Sequence, residues 1–197
     1  MHAWRRMTGV AVGGVLAGGG VYLGLVTGAA PVDLGIGRRM RALGPSSVEI
    51  EAPAEVVFDV LAEPYAERPS RAMQEKLKVL ERGQDLLLAA HYTPIRGRLR
   101  ATTVETVHFQ RPRQIDFRLV RGPVPYVVET FTLEQRDDHT LLTYTGQLGT
   151  DLWRLGERWG DIVAPKWESV VASAFDATKN EAERRQTARR HAARRQT

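Results

Sequence analysis

VEIEAPAEVVFDVL, residues 48–61, begins with the pattern of a strand and ends with the pattern of a helix. Its first half alternates apolar and acidic side chains, which is the period-two pattern of a half-buried strand. Pro53 then suits the start of a helix, where its missing N–H leaves no hydrogen bond unmade. Val57, Val60 and Leu61 share one helical face, and Pro64 ends the run. The stretch therefore predicts a strand over 47–52 followed at once by a helix over 54–62.

Six more strands are predicted between residues 76 and 148. Short alternating runs are separated there by turn signals such as RGQD at 82–85 and DDH at 137–139. The connections have the length of hairpins, so the strands should form an antiparallel meander. The runs cover residues 77–81, 86–93, 99–110, 115–120, 125–135 and 140–148.

A long helix is predicted after Asp151, which is itself a candidate for its N-cap. Pro165 should bend this helix or divide it in two. From residue 180 onward the Arg, Ala and Gln residues carry no apolar stripe, which leaves a frayed helical extension or a disordered basic tail. The apolar face of the helix carries Trp153, Gly156, Gly160, Val163, Trp167, Val171 and Ala174.

This order of elements, the opening stretch 48–61 and the later RDDHTLLTY at 136–144 resemble the START-like, or SRPBCC, superfamily, which includes polyketide cyclase/dehydrase-like proteins. The resemblance covers about residues 46–180. It implies an α+β helix-grip fold, with a curved seven-stranded antiparallel sheet wrapped around a long C-terminal helix and two short helices after strand 1. It also implies an apolar cavity between sheet and helix. It selects no activity, because the superfamily contains both carriers and enzymes.

The charge of the chain is concentrated at its two ends. The 197 residues carry a net charge of +5 and the pI is about 9.9. Residues 1–41 contribute +4 and residues 184–197 contribute +6, which leaves −5 for residues 42–183. An acidic folded middle argues against specific nucleic-acid binding, which needs a basic folded face. The absence of cysteine from the sequence excludes a disulfide framework and thiolate ligands.

Residues 7–30 carry no charge and include eight glycines. As a helix they would span about 36 Å, which is enough to cross a bilayer core of about 30 Å. We predict a single-pass membrane anchor with the domain on the cytoplasmic side. The alternative is a cleaved signal peptide and a secreted protein, with Arg5 and Arg6 as its charged start and Gly28 and Ala30 at the cleavage site. The chain then divides into the anchor or signal at 1–30, a linker at 31–45, the START-like domain at 46–180 and a basic tail at 181–197.

Glu129 is the leading candidate for a catalytic residue. The period of two places it on the same face as Val127, Phe131 and Leu133, so it should point into the cavity. A carboxyl group there needs a raised pKa or a partner, and both are properties of a general base or a polar ligand anchor. The competing interpretation is that Glu129 reaches solvent or pairs with Arg118. Tyr144 is a second candidate, able to orient a carbonyl group.

The remaining candidate residues would line the cavity. His91 and His108 could meet between neighbouring strands, but two histidines without a matched carboxylate are weak evidence for a metal, and we predict neither a metal nor a cofactor. The predicted lining is His91, Tyr126, Phe131, Trp153, Gly156, Gly160, Val163 and Trp167.

Three functions are compatible with these patterns. The leading one is a membrane-tethered domain that binds a hydrophobic small molecule or lipid in an internal cavity. The second is a polyketide cyclase/dehydrase-type enzyme that uses Glu129 as base, and the third is an interaction module without a ligand. The arginine-rich tail is either solvated or in contact with anionic lipid.

Overall fold

A computed structural model describes residues 23–25, 27–29, 33–96 and 99–195 of the chain. One strand comes first, followed by short helices, six strands and a long helix. The elements are β1 (Arg39–Ile50), α1 (Ala54–Ala62), a 3-10 turn (Glu63–Tyr65), α2 (Arg71–Gln74), β2 (Leu77–Arg82), β3 (Leu86–Arg96), β4 (Leu99–Gln110), β5 (Gln114–Arg121), β6 (Tyr126–Arg136), β7 (His139–Thr150) and α3 (Trp153–Arg194).

The strands form one antiparallel sheet in the order β1-β7-β6-β5-β4-β3-β2. Consecutive hairpins generate the meander from β2 to β7, and β1 joins its open edge beside β7. The sheet curves around α3, so the helix-grip α+β fold predicted from the sequence is confirmed.

The core lies between the concave face of the sheet and α3. Along β6 the buried residues alternate with less buried ones, and Val127, Phe131 and Leu133 point inward. The helix makes its main contacts with β1, β7 and α1. The ring of Phe131 lies at the centre of the core, with its centroid 5.2 Å from Tyr144 and 6.0 Å from Phe175.

The segment predicted as a linker over 31–45 contains ordered structure. β1 begins at Arg39, and residues 33–38, which we name the strap, cross the start of α3. The N–H groups of Leu152 and Trp153 donate to carbonyls of the strap, at Ile36 and Gly37. The packed structure therefore extends beyond the predicted domain start at residue 46, because it includes the strap and the first seven residues of β1.

Asp151 does not cap α3, because Leu152 is the N-cap residue and makes no side-chain bond to the helix. The Asp151 carboxylate instead accepts hydrogen bonds from the strap: from the Leu34 N–H at 2.7 Å, the Gly35 N–H at 2.8 Å and Arg38 Nε at 2.7 Å. The Arg38 guanidinium holds the pKa of Asp151 below its usual value. Asp151 thus binds the strap to the end of β7.

α3 runs as one helix through Pro165 to Arg194, so of the two effects expected of the proline, division of the helix does not occur. Of the two alternatives for the tail, the helical extension is the one observed, as far as Arg194. Three of its arginines pair with acids: Arg184 with Glu181, Arg185 with Glu63 and Arg190 with Asp138.

Most of the predicted anchor at 7–30 lies outside the described residues. Within 23–25, 27–29, 33–96 and 99–195, no helix is both long and apolar enough to cross a membrane. Residues 28 and 29 lie beside the end of β5, where Arg121 donates to the carbonyls of Gly28 and Ala29, each at 3.2 Å. The anchor stays a prediction.

Candidate functional site

Glu129 lies on the concave face of β6, between Phe117 on β5 and Gly146 on β7. Only 7% of the surface of Glu129 is exposed to solvent. Tyr144 Oη donates to Glu129 Oε1 at 2.8 Å, and Trp167 Nε1 donates to the same oxygen at 2.7 Å. A Cβ at Gly146 would approach Glu129 Cγ to 3.2 Å, so the missing side chain leaves room for this arrangement.

The carboxyl group of Glu129 titrates near neutral pH. Burial raises its pKa to about 7, with a further contribution from the Glu105 carboxyl, while the hydrogen bonds from Trp167 and Tyr144 oppose the rise. Burial and the charge of Glu129 raise the pKa of Tyr144, so its hydroxyl stays protonated and donates. At neutral pH Glu129 is able either to donate or to accept a proton, as an acid–base group or a polar anchor requires.

A second polar group lies on the same face, on β3 and β4. Glu105 is 6% exposed, His91 Nε2 lies 3.8 Å from Glu105 Oε2, and Tyr65 Oη lies 3.5 Å from the same nitrogen. Burial raises the pKa of Glu105 to about 7 against a hydrogen bond from Thr103, and burial lowers the pKa of His91 to about 4. His91 is therefore neutral at pH 7 and forms no ion pair with Glu105.

Sequence reasoning missed Glu105 and Tyr65. The signal for Glu105 was present, because the period of two that turns Val107 inward also turns Glu105 inward. Tyr65 lies in a stretch that reads only as polar, and its burial depends on packing against Phe109 and Phe117.

The concave surface of β3 to β5 lies beyond the main contacts of α3. His91, Phe109 and Phe117 point inward there and are nevertheless only half-buried. Trp167 and Trp159 of α3 are half-buried as well, and Trp159 Nε1 donates to the Pro123 carbonyl at 2.8 Å. Both polar groups therefore lie beside half-buried aromatic side chains, on the part of the concave face that α3 contacts least.

The predicted site residues do not all meet there. Phe131, Trp167 and Tyr144 contact Glu129 or one another, and His91 belongs to the second group. Gly160 and Val163 are buried, with Gly160 packed against β7. The alternative pairing of Glu129 with Arg118 does not occur, because Arg118 is exposed and lies opposite Val128.

Three predicted lining residues lie elsewhere. Trp153 is 54% exposed and its ring lies over Gly37 of the strap. Tyr126 has the opposite parity to Glu129 on β6, so it points from the convex face, where it lies beside Gly149. A Cβ at Gly156 would overlap the carbonyl oxygen of Asp151, so Gly156 permits a close backbone approach and does not border the cavity.

The two histidines that could have shared a metal point to opposite faces of the sheet. His91 faces the concave side, whereas His108 contacts Asp85 at 3.4 Å and Asp116 at 3.7 Å on the other side. Over the part of the chain that the structure describes, no group of three or more metal-ligating side chains comes together.

A seven-stranded antiparallel sheet that curves around a long C-terminal helix is the fold of a START-type domain. The chain belongs to the polyketide cyclase / dehydrase and lipid transport family, whose sequence model matches residues 45–183. A search of curated proteins found none with significant similarity.

Solved structures share the fold at low sequence identity. The ZhuI aromatase/cyclase of Streptomyces sp. R1128 is 23% identical over 75% of this chain and 96% of its own, with a TM-score of 0.60. Norcoclaurine synthase of Thalictrum flavum is 14% identical over 75% of this chain and 87% of its own, with a TM-score of 0.55. At these identities the likeness concerns the fold alone.

Proposed function

We propose that the domain binds a hydrophobic small molecule, of lipid or polyketide type, between the concave face of the sheet and α3. The observation that carries the proposal is the buried Glu129 carboxyl, held by Tyr144 and Trp167. Membership of a cyclase and lipid-transport family supports it. The aromatic walls would supply apolar contact, and Glu129 would fix the orientation of the ligand.

Glu129 has an oxygen free for such a contact. Among the described residues both hydrogen bonds to this carboxyl reach Oε1, and no buried side-chain oxygen or nitrogen lacks a partner. Oε2 is therefore not fully buried. A buried carboxyl group costs several kcal/mol unless its polar atoms are compensated, and a ligand hydroxyl or carbonyl would provide that compensation here.

Native mass spectrometry of the purified full-length protein tests the proposal. We expect a small molecule to remain bound to the wild type and to be lost, at least tenfold, from Glu129→Leu. The matched control is Glu134→Leu, on the same strand but exposed, which should retain it. Absence of any bound molecule, together with failure to take up an environment-sensitive apolar dye, would contradict ligand binding.

A cyclase or dehydrase-type enzyme is the second candidate, and the near-neutral pKa of Glu129 favours it. In this function Glu129 would remove a proton from carbon next to a carbonyl, while the Tyr144 hydroxyl and the Trp167 N–H stabilise the carboxylate. The variant Glu129→Gln separates the two functions. A carrier would keep much of its affinity for the ligand, because the amide still forms hydrogen bonds. An enzyme would still bind its substrate but would lose turnover.

We also propose that residues 7–30 tether the domain to the cell membrane, on the cytoplasmic side. The supporting features are the uncharged run and the arginines on either side of it. Signal cleavage and secretion is the alternative. Contact of the tail with anionic lipid remains compatible with the sequence, although Arg184, Arg185 and Arg190 already have acidic partners.

A further inference from the structure

Four apolar side chains are exposed together where the strap crosses the start of α3. Each is between 50% and 66% exposed: Leu34 and Ile36 of the strap, and Trp153 and Leu155 of α3. The backbone fixes their positions, because N–H groups at the start of α3 donate to carbonyls of the strap and the Asp151 carboxylate accepts from the Leu34 N–H. Apolar side chains that a fixed backbone holds together in water indicate a contact with something apolar outside the domain.

Two arginines border these apolar side chains. Arg154 and Arg158 are exposed one turn apart on α3, on either side of Leu155 in the sequence. Neither side chain forms an ion pair or a hydrogen bond within the parts of the chain that the structure describes. The acids at this end pair with other arginines: Asp33 and Asp151 with Arg38, Glu157 with Arg39, and Asp161 with Arg41. Arg154, Arg158 and the four apolar side chains together form what we name the strap face, which is apolar and positively charged.

The chain leads from the strap face directly to the proposed anchor. Residues 7–30 carry no charge, and the strap begins three residues later at Asp33. Three residues reach about 10 Å when extended, so an anchor embedded in a bilayer would hold the strap face at the bilayer surface. Leucine and tryptophan side chains beside unpaired arginines suit the headgroup region of an anionic bilayer.

We propose that the strap face docks on an anionic membrane surface. Trp153 and Leu155 enter the headgroup region together with the apolar strap residues, and Arg154 and Arg158 contact the lipid phosphates. The inference rests on the proposed tether at 7–30 and adds to it the side of the domain that the membrane contacts.

The basic tail lies far from a membrane that binds the strap face. α3 runs beside β1 in the same direction, with Arg41 paired to Asp161 and Lys179 bonded to the Glu49 carbonyl. Residues 155–190 of this helix span about 50 Å, many times the Debye length of about 8 Å. The tail arginines therefore provide a basic control on the same helix.

Full-length protein in vesicles of phosphatidylcholine and phosphatidylglycerol tests the docking. The sequence contains no cysteine, so Leu155→Cys and Leu86→Cys each carry a single fluorescent label. Leu86 is the matched control, because it is also exposed but lies at the opposite end of the sheet, where β3 begins. Nitroxide-bearing lipids should quench the Leu155 label about tenfold more than the Leu86 label.

Charge variants separate docking from tethering alone. The tether by itself would keep Leu155 near lipid whatever the charge at positions 154 and 158. With docking, Arg154→Gln and Arg158→Gln should each lower the ratio of docked to undocked protein about fivefold, the effect of one basic residue at an anionic surface. Arg189→Gln and Arg190→Gln in the tail should leave the ratio unchanged.

Three results would overturn the docking. Equal quenching of the two labels in membrane-bound protein, or quenching that Arg154→Gln and Arg158→Gln do not change, would exclude the strap face and leave the tether intact. Fluorescence self-quenching between the Leu155 labels of two copies would assign the face to a second copy of the chain. Full-length protein that stays off the vesicles would overturn the tether and this inference together.

Discussion

At the scale of single residues, Glu129 links folding to pH. Its pKa is 4.5 in an unfolded chain and about 7 in the folded protein, so the folded state binds the proton more tightly. This contribution to stability, about 3 kcal/mol, is fully present below pH 4.5 and is lost as the pH rises from 4.5 through 7. We predict that the Glu129→Gln variant is more stable than the wild type at pH 8. Its stability should also fall less between pH 5 and pH 8, and thermal unfolding measures both effects.

Glu134→Gln is the control, because Glu134 is exposed on the same strand and should leave the profile unchanged. A Glu129→Gln profile parallel to that of the wild type would show that the Glu129 carboxyl is as easily ionised in the folded protein as in the unfolded chain. Glu105 titrates in the same range, so some decline should persist in Glu129→Gln.

The position of a single side chain could be predicted from the sequence only where the regular period of a strand or helix applies. Strand parity predicts the inward direction of Glu129, and applied to β4 it also predicts that of Glu105. The prediction that Trp153 lines the cavity fails because Leu152 and Trp153 have φ of 71° and 48°. These values are not helical, so the helical wheel does not apply at that position. The two hydrogen bonds on Glu129 Oε1 depend on how α3 lies across the sheet, which no local pattern encodes.

At the scale of elements, two glycines of α3 have different roles. A Cβ at Gly156 would overlap the Asp151 carbonyl, whereas one at Gly160 would make only ordinary contacts, at 3.5 Å or more, with Thr150 and Leu148. We predict that Gly156→Ala destabilises the domain by about 1–3 kcal/mol, because the helix start must shift. Gly160→Ala should be neutral or stabilising by up to about 1 kcal/mol, since alanine favours the helix. Chemical denaturation of both variants measures the difference, and equal effects would contradict these roles.

The strap should depend on Asp151. Its side chain is 1% exposed and accepts hydrogen bonds from Leu34, Gly35 and Arg38. Asp151→Asn should cost about 1.5–3 kcal/mol in free energy of unfolding, since a charged hydrogen bond to Arg38 is lost. Asp33→Asn is the control, because Asp33 is exposed and pairs with the same arginine, and its change should stay below about 1 kcal/mol.

Hydrogen exchange at Leu34 and Gly35 provides the direct readout for the strap. Exchange should accelerate in Asp151→Asn and not in Asp33→Asn. Unchanged protection in Asp151→Asn would mean that the backbone bonds of Leu152 and Trp153 to the strap hold it without the carboxylate.

Element boundaries were predictable where the period was uninterrupted, as for α1 and β4. β1 starts earlier than predicted because the register shifts between Leu43 and Ser46, which breaks the alternation that a pattern search follows. The sequence left the helical tail open because its contacts, among them Arg185 with Glu63 and Arg190 with Asp138, are made to residues distant in the sequence.

At the scale of the whole molecule, the N-terminal segment arrives at one end of the sheet. Gly28 and Ala29 contact Arg121 at the end of β5, and the strap and the start of α3 lie where β7 ends. A membrane anchor at 7–30 would therefore hold the domain by this end, with the long axis of α3 leading away from it. The separation between such an anchor and the sheet would be short, because Gly28 and Ala29 already contact the end of β5.

The last prediction concerns this attachment. Full-length protein should sediment with membranes and remain there in about 1 M salt, where the Debye length is about 3 Å and surface charge contacts are screened. A chain beginning at residue 31 should stay in the supernatant as a folded protein, because it keeps the strap. A chain beginning at 42 should be less stable, since it lacks Arg38 and the first residues of β1. Full-length protein found in the supernatant, or isolated with its N-terminus near Pro31, would replace the anchor with a cleaved signal peptide.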